Sequence, residues 1–235
     1  MNKIDFFSKI KGGLIVSCQA LESEPLHSSF IMSKMALAAE EGGAVGIRAN
    51  STEDIIEIKK AVSLPVIGLI KKDYEDSEIY ITPTMEEIDS LASVGVDVIA
   101  LDATKRVRPG GLTLENLFKE AKAKYPEMIF MADCSTYEEG IKAAEIGFDI
   151  VSTTLAGYTG YTSGISLPDY CTLEKLARVL SIPVIAEGGI WEGAQLKKAF
   201  DLGCYSAVIG SAITRPREIT KHFIDAIKEN NNEDN

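Results

Sequence analysis

The sequence predicts a single-domain (β/α)₈ barrel, the TIM-barrel fold. Eight short runs of mainly apolar, often β-branched residues recur along the 235 residues, and stretches with helical spacing lie between them. The glycine-containing strings EEGGA, SVGVD, EIGFD and DLGCY precede the second, fourth, sixth and eighth runs. Glycine readily ends a helix in a left-handed conformation, so these strings mark passages from helix into strand. Eight such alternations in this length are typical of the barrel, and an open doubly wound sheet is the alternative.

The eight runs are interpreted as strands that are covered on both faces. Each is mostly apolar and does not alternate between apolar and polar residues. The runs are residues 13–18, 44–49, 65–71, 96–102, 128–133, 148–154, 183–188 and 205–210. No Pro/Ser-rich linker divides them, which predicts one catalytic domain over residues 1–229 and a disordered polar tail over residues 230–235.

Helix signals lie between the runs. Ser51 precedes EDIIEIKKAV like an N-cap, with acidic residues in the first turn. Ser135 precedes TYEEGIKAAEIG, and Gly147 is placed to end that helix. A further helix is predicted over residues 28–41. Its apolar face is predicted to consist of Phe30, Met35, Leu37 and Ala38.

Composition and charge exclude several classes of function. The net charge of −11 argues against general nucleic-acid binding and against docking on an anionic membrane. No segment reaches the ~20 apolar residues of a membrane helix, and the N-terminus lacks the apolar run of a signal peptide. The four cysteines are widely spaced without a C-x-x-C pair, which predicts reduced thiols in a cytoplasmic protein. With only two histidines, a histidine-rich metal site is not expected.

Polar and charged side chains stand at the carboxyl ends of the predicted strands, where barrels of this class hold their active sites. Strand six ends in Thr153-Thr154, and Thr153 is the predicted contact. The other candidates at strand ends are Gln19, Arg48, Lys71, Asp133 and Glu187. An arginine, a lysine and two acids on one rim favour a site for a polar substrate.

Two glycine-containing loops predict a phosphate site. Gly188-Gly189 follows strand seven, and Gly210-Ser211 follows strand eight, the loops that commonly bind phosphate in this fold. Glycine lets backbone N–H groups approach an anion, and a helix that begins at Ser211 would point its positive end there. Arg215, one turn further, could add a charged contact.

Lys71 is the candidate for the chemistry. An unperturbed lysine, with a pKa of about 10.4, is almost fully protonated at neutral pH. Partial burial and a neighbouring cation such as Arg48 would lower that pKa. Lys71 could then take a proton from carbon next to a carbonyl, or form an imine with a carbonyl as an aldolase does. The residue pattern leaves both open.

Long strings from residues 14 to 223 resemble one family. They are IVSCQALESEPLHSSFIM, GIRAN, IGLIKKDYEDSEIYITPTMEEI, IALDATKRVRP, MADCST, VSTTLAGYT, AEGGI and YSAVIGSAITRP. They are similar to N-acylmannosamine-6-phosphate 2-epimerases, bacterial enzymes of sialic-acid breakdown. The resemblance implies a barrel like those that bind ribulose phosphates, and conversion of N-acetylmannosamine 6-phosphate to N-acetylglucosamine 6-phosphate by inversion at C2. It also implies that no metal or organic cofactor takes part, and it favours a homodimer.

The resemblance also implies roles for individual residues. Lys71 in IGLIK matches the catalytic lysine, and Glu187 in AEG matches its acidic partner. The sugar contacts would be Gln19, Arg48 and Asp133, and the phosphate site would comprise Arg215 and the glycines after strands seven and eight. Whether Lys71 acts as the single base or Glu187 serves the opposite face stays open.

One position departs from the family pattern. Gly189 stands where a longer side chain, such as Arg or Asn, is expected, which puts the contacts of the phosphate-side loop in doubt. The competing functions are a Schiff-base aldolase that uses Lys71, a sugar-phosphate sensor without catalysis, and a metal-dependent epimerase. The missing histidine ligands disfavour the last of these.

Overall fold

The structure, a computed structural model, describes residues 2–233, and the side chains of residues 2–228. The strands are β1 Leu14–Cys18, β2 Gly46–Asn50, β3 Val66–Leu69, β4 Val98–Asp102, β5 Ile129–Asp133, β6 Ile150–Ser152, β7 Val184–Glu187 and β8 Ser206–Ile209. The helices are α1 Lys3–Ile10, α2 Ser29–Glu41, α3 Thr52–Ala61, α4 Met85–Ser93, α5 Leu114–Lys124, α6 Tyr137–Ile146, α7 Tyr170–Val179, α8 Gly193–Asp201, α9 Ser211–Thr214 and α10 Pro216–Glu233, with a 3₁₀ turn at Pro109–Gly111.

The eight strands form a closed parallel barrel in chain order. Each strand pairs with the next, and the barrel closes where Leu14 of β1 pairs with Ala207 of β8. This closure confirms the predicted (β/α)₈ barrel and rules out the open sheet, which would leave β1 and β8 unpaired. All eight predicted strands are present, each shorter than its apolar run.

Apolar side chains pack in two layers, one inside the barrel and one between barrel and helices. The inner layer receives Phe6 and Ile10 from α1, both fully buried. These residues close the amino-terminal end of the barrel. Sequence analysis did not predict α1, because its eight residues present too short an apolar pattern.

The helix boundaries follow from side-chain caps. Ser51 caps α3 as predicted, and its hydroxyl accepts a hydrogen bond from the N–H of Asp54. Gly147 ends α6 in the left-handed conformation, also as predicted. The predicted start of α6 is one residue early. Thr136 is the N-cap, because its side chain and that of Glu139 form a reciprocal capping box.

The predicted apolar face of α2 is wrong at Phe30 and Ala38, which are exposed, whereas Met35 packs against the core. The residues of α2 that the barrel buries are Met32, Ser33 and Ala36. Phe30 is 65% exposed and lies outside this face. Serine and alanine face the barrel because α2 packs closely on β1 and α3, and periodicity of large apolar residues alone does not detect such a face.

The last helix, α10, packs against α9. His222 stacks on Trp191 of the loop after β7, with ring centroids 4.7 Å apart. The predicted boundary at residue 229 falls within α10, while residues 234–235 of the predicted tail lie outside the described residues. The disorder of residues 230–235 therefore stays a prediction. In the part of the chain that the structure describes, no helix is both long and apolar enough to span a membrane.

Candidate active site

A cavity of about 510 Å³ opens at the carboxyl ends of the strands. Most of the predicted site residues line it, namely Gln19, Arg48, Lys71, Glu187, Gly188, Gly189, Gly210, Ser211 and Arg215. The other two, Asp133 and Thr153, are buried at 0% and 3% exposure and lie behind the cavity wall. The structure therefore brings the predicted residues to one place but separates two of them from direct access.

The period-two alternation of strand side chains explains why the charged groups converge. In β3, Ile67 and Leu69 belong to the apolar layer inside the barrel, and Lys71 continues their row two residues later. Glu187 follows Ile185 in the same way in β7. Each row is apolar in the barrel interior and becomes charged where the strand reaches the cavity.

The same alternation separates the two threonines after β6. Thr154 continues the inward row of Ile150 and Ser152 and lines the cavity. Thr153 lies on the opposite row, and its hydroxyl donates to the carbonyl oxygen of Glu187 at 2.9 Å. The sequence-based choice of Thr153 missed Thr154, although counting by twos from Ile150 would have found it.

The surroundings of Lys71 favour its neutral form. Its backbone N–H donates to Asn50 Oδ1 at 2.8 Å. Burial, together with the positive charges of Arg215 and Arg48, lowers the pKa of Lys71 from 10.5 to about 8, against the opposing effect of Glu187. Among the described residues, no carboxylate lies within ion-pair distance of Nζ. A substantial fraction of Lys71 is therefore a neutral amine near pH 8.

Glu187 is held in a position that stabilises its protonated form. Burial raises the pKa of Glu187 from 4.5 to about 7, with Asp133 acting in the same direction and Arg48 in the other. Its Oε2 lies 3.2 Å from Arg48 Nη1 and 3.0 Å from Thr154 Oγ1. The pKa values of Lys71 and Glu187 thus lie about one unit apart, so each group can take up and release a proton near neutral pH.

Arg48 and Asp133 form a buried bidentate ion pair. Arg48 Nη1 and Nη2 donate to the two carboxylate oxygens at 3.1 Å and 2.5 Å. Burial opposes the charge of Arg48, but Asp133 and Glu187 outweigh it and raise its pKa. Asp133 therefore orients Arg48, not Lys71. The Nε atom of Arg48 is buried and has no hydrogen-bond partner among residues 2–228.

The glycine loops form the other end of the cavity. Gly188 and Gly189 both have positive φ, 106° and 73°. A Cβ atom on Gly189 would lie 2.3 Å from Cβ of Leu167, so the loop after β6 occupies the space that a side chain would need. This contact accounts for glycine at the position where a longer side chain was expected.

The predicted helix at Ser211 is present as α9, which is only four residues long. Gly210 lies next to Ser17, whose Cβ would be 3.2 Å from an added Cβ atom. Arg215 lines the cavity, and its Nη2 lies 3.2 Å from Oε2 of Glu24. The buried carboxylate of Glu24 thus holds the guanidinium at the cavity edge.

Aromatic side chains complete the cavity wall and were not predicted as site residues. Tyr80 and Trp191 line the cavity, and Trp191 is held by its stack on His222. Tyr158, in the loop after β6, lines the cavity at 60% exposure. These residues follow strands at variable distances, so no fixed spacing marks them.

Among the described residues, no group of three or more His, Cys, Asp and Glu side chains is arranged to hold a metal ion. The acidic residues that line the cavity are already engaged, Glu187 by Arg48 and Thr154 and Glu218 by Arg217. The expectation that the reaction uses no metal stays a prediction.

Comparisons with known proteins indicate one family. The family model described as "Putative N-acetylmannosamine-6-phosphate epimerase" matches residues 32–229. A protein of Caldanaerobacter subterraneus named as such a 2-epimerase is 58% identical over 227 residues, which cover 97% of this chain and 96% of that protein. A similarly named protein of Clostridioides difficile is 59% identical over 222 residues, 94% of this chain and 99% of that protein.

Solved structures agree with the sequence comparisons. The N-acetylmannosamine-6-phosphate 2-epimerase from Clostridium perfringens superimposes with a TM-score of 0.90 at 55% identity, covering 94% of this chain and 95% of that chain. A thiamine phosphate pyrophosphorylase from Pyrococcus furiosus, at 18% identity and a TM-score of 0.62, shares the fold alone.

Proposed function

This chain belongs to the N-acetylmannosamine-6-phosphate 2-epimerase family, and we propose that Lys71 and Glu187 carry its reaction. The enzyme is an isomerase that converts N-acetylmannosamine 6-phosphate to N-acetylglucosamine 6-phosphate by inverting C2. The reaction serves the breakdown of sialic acid. The substrate is a small sugar phosphate, and neither nucleic acid nor a membrane is a partner in this proposal.

One observation carries the proposed mechanism. Lys71 and Glu187 line the same cavity, with pKa values of about 8 and about 7. A neutral lysine can take the C2 proton, which is acidified by the C1 aldehyde of the opened sugar. A protonated glutamic acid can supply a proton. The geometry provides both groups and leaves open whether one base or two complete the inversion.

The remaining cavity residues support binding and charge stabilisation in this proposal. The charge of Arg48 stabilises the negative oxygen that develops when C2 loses its proton. Gln19 binds a hydroxyl or the acetamido group. The backbone N–H groups after Gly188 and at Ser211, with Arg215, hold the 6-phosphate. The buried Asp133 and Thr153 act indirectly. Asp133 holds Arg48 through their ion pair, and Thr153 holds the β7 backbone through its hydrogen bond to Glu187.

The test is proton exchange at C2. Wild-type protein incubated with N-acetylmannosamine 6-phosphate in D₂O is expected to form the gluco epimer with deuterium at C2, as followed by NMR. Lys71→Ala is expected to lose about 10²–10⁴-fold in rate, the contribution of a general base. Lys72→Ala is the matched control, because Lys72 lies beside it and instead pairs with Glu86 and Glu87.

Other outcomes separate the competing functions. Epimer without solvent deuterium would support a single shielded base. Borohydride trapping of substrate on Lys71 would support the aldolase. Binding without epimer or exchange, unchanged in Lys71→Ala, would support a sensor.

We also propose that the protein is a homodimer held by α10. Phe223 and Ile227 of this helix are 65% and 58% exposed, and large apolar side chains in such numbers on one helix indicate a covered face. Sedimentation analysis is expected to give a dimer for the wild type and a smaller mass for Phe223→Ser/Ile227→Ser. Ile4→Ser, at a still more exposed position on α1, is expected to leave the mass unchanged.

The proposal places the enzyme in the cytoplasm. All four cysteines are free thiols, and three of them are buried. Fractionation of the producing cell is expected to recover the protein in the cytoplasmic fraction, and recovery outside it would contradict this part of the proposal.

A further inference from the structure

Thr154 lies between the two carboxyl groups of the site. Its Oγ1 is 2.8 Å from Asp133 Oδ1 and 3.0 Å from Glu187 Oε2. It is also 2.8 Å from the hydroxyl of Ser152. One hydroxyl group therefore contacts three oxygen atoms, and the number of hydrogens available decides how these contacts are made.

A threonine hydroxyl has one hydrogen to donate and two lone pairs that accept. Ser152 is fully buried, and Thr154 is the only hydrogen-bond partner of its hydroxyl among the described residues. Because a buried hydroxyl hydrogen needs an acceptor, Ser152 donates to Thr154. Thr154 is left with one hydrogen for two carboxyl groups.

Asp133 is the group that carries the ion pair with Arg48. It accepts both guanidinium bonds of Arg48, at 3.1 Å and 2.5 Å, and it is completely buried. Arg48 Nη1 also lies 3.2 Å from Glu187 but directs its hydrogen bonds to Asp133 and the sulfur of Met131. A carboxylate that is paired in this way is the stronger acceptor for the hydrogen of Thr154.

The contact between Glu187 and Thr154 then needs a hydrogen from Glu187. Two oxygen atoms 3.0 Å apart without a hydrogen between them would repel each other in this partly buried place. A protonated Glu187 supplies it. The chain of donors runs from Glu187 to Thr154 and from Thr154 to Asp133.

We propose that Thr154 is a positioning residue that holds Glu187 in its acid form, by accepting the Glu187 proton while donating its own to Asp133. This inference rests on the proposed function, in which Glu187 supplies a proton. When Glu187 has given that proton away, Thr154 can turn its hydrogen from Asp133 to the new carboxylate. That turn would give up the hydrogen bond to Asp133, so the hydroxyl stabilises the acid form of Glu187 more than its carboxylate.

Several charged groups besides Thr154 face Glu187. Arg48 approaches from β2, Lys71 from the end of β3 and Asp133 from β5. The two cations favour the ionised form, whereas burial and Asp133 favour the acid. A hydroxyl that only donated to Glu187 would favour its ionised form, as the two cations do. A hydroxyl that accepts a hydrogen bond from Glu187 favours its acid form.

The test is the titration of Glu187 itself. The protein is labelled with ¹³C at glutamate carboxyl carbons, and the Glu187 signal is assigned by its absence in Glu187→Gln. In the wild type its midpoint is expected near neutral pH. In Thr154→Val, which removes the hydroxyl at nearly constant volume, the midpoint is expected to fall by about one unit, the loss of one hydrogen bond worth ~1.4 kcal/mol.

The sign of the shift decides the proposal. The methyl group of valine makes the site less polar, which by itself raises a carboxyl pKa, so a fall can come only from the lost acceptor. A midpoint that rises or stays unchanged in Thr154→Val overturns the inference. Thr154→Ser keeps the hydroxyl and is expected to titrate like the wild type. Thr154→Ala replaces the valine variant if thermal melting shows that valine does not fold.

This measurement needs no turnover, so it stays informative if the proposed reaction fails. In a turnover assay, each pH unit by which the Glu187 midpoint falls is expected to lower the maximal kcat/KM about tenfold, because the population of the acid form falls by that factor. KM is expected to change much less than kcat. A loss confined to KM would indicate a binding role instead.

Discussion

At the scale of single residues, the site depends on burial acting in opposite directions on two groups. Burial removes charge from both Lys71 and Glu187, which lowers the pKa of the first and raises that of the second. The Arg48–Asp133 pair keeps its charges in the same surroundings, because two short hydrogen bonds compensate for the lost water. The cavity therefore contains two groups whose charged forms burial disfavours and one ion pair whose charges are held by hydrogen bonds.

The two shifted pKa values predict a bell-shaped pH profile of kcat/KM, with limbs near pH 7 and pH 8. The active form has neutral Lys71 and protonated Glu187. Below the lower limb Lys71 is protonated, and above the upper limb Glu187 has lost its proton. Since the pKa of Lys71 lies about one unit above that of Glu187, only about one tenth of the singly protonated enzyme is in this form. Initial rates from pH 5.5 to 9.5 measure the profile, and a rate that rises steadily to pH 9.5 contradicts it.

The buried ion pair predicts a large loss of stability in Asp133→Asn. The substitution removes the bidentate partner of Arg48, 1% exposed, and leaves only Glu187 at 3.2 Å, so it is expected to lower the free energy of unfolding by about 3–5 kcal/mol. Asp201→Asn is the control, because Asp201 pairs with Lys197 at the surface, where the pair is worth under ~1 kcal/mol. Urea unfolding at pH 7.5 measures both variants. Equal losses would mean that the Arg48–Asp133 pair contributes no more than a surface pair.

At the scale of elements, local backbone preferences determine where helices end, and packing against other elements then fixes the positions of the loops. Gly43, Gly95, Gly147 and Gly203, from the four recurrent strings, all have positive φ and lead from helix into strand. In the loop after β7, glycine is required by packing and not by a helix end. Gly189 is glycine because the loop after β6 packs directly on its backbone.

This packing predicts that Gly189→Ala is costlier than an alanine at another glycine with the same backbone angle. Gly111 has φ 73°, as Gly189 does, but open space around it. Both variants bear the backbone penalty of about 1–2 kcal/mol, and Gly189→Ala adds overpacking against Leu167 of about 1–3 kcal/mol. Thermal melting measures the difference, and KM for the sugar phosphate is expected to rise only in Gly189→Ala. Similar melting losses in the two variants would show that Leu167 adapts.

At the scale of the whole molecule, the barrel separates stability from function at its two ends. The amino-terminal end is closed by α1, whose Phe6 and Ile10 pack into the inner layer. The carboxyl-terminal end is left open and charged. The chain carries a net charge of −11, so in the proposed function binding of an anionic substrate relies on the local positive charges of Arg48 and Arg215 in the cavity.

The separation of the two ends predicts that Phe6→Ala destabilises the fold without changing catalysis. Removing this fully buried ring from the closed end is expected to lower the free energy of unfolding by about 3–5 kcal/mol. Ile4→Ala, on the same helix at 81% exposure, is expected to change it by less than about 0.5 kcal/mol. Guanidinium unfolding and kcat at 25 °C measure the two effects. A lower kcat in folded Phe6→Ala would contradict the separation.

The sequence by itself determined the barrel and most of its site. Eight apolar runs and the glycines between them suffice for the fold, because each reflects a local preference repeated along the chain. Lys71 and Glu187 were visible because polar residues that end apolar strands meet on one rim. The family resemblance in the sequence then named the substrate.

Only the tertiary structure decided which of these residues reach the cavity and which act from behind it. Asp133 continues the inward row of β5 but is buried against Arg48 and Thr154. Thr154 lines the cavity in place of Thr153 because the alternation of side chains places Thr154 on the inward row. The pKa values of Lys71 and Glu187 likewise depend on burial and on charges distant in sequence. A local sequence pattern does not specify these neighbours, because residues distant in sequence come together only when the strands close into the barrel.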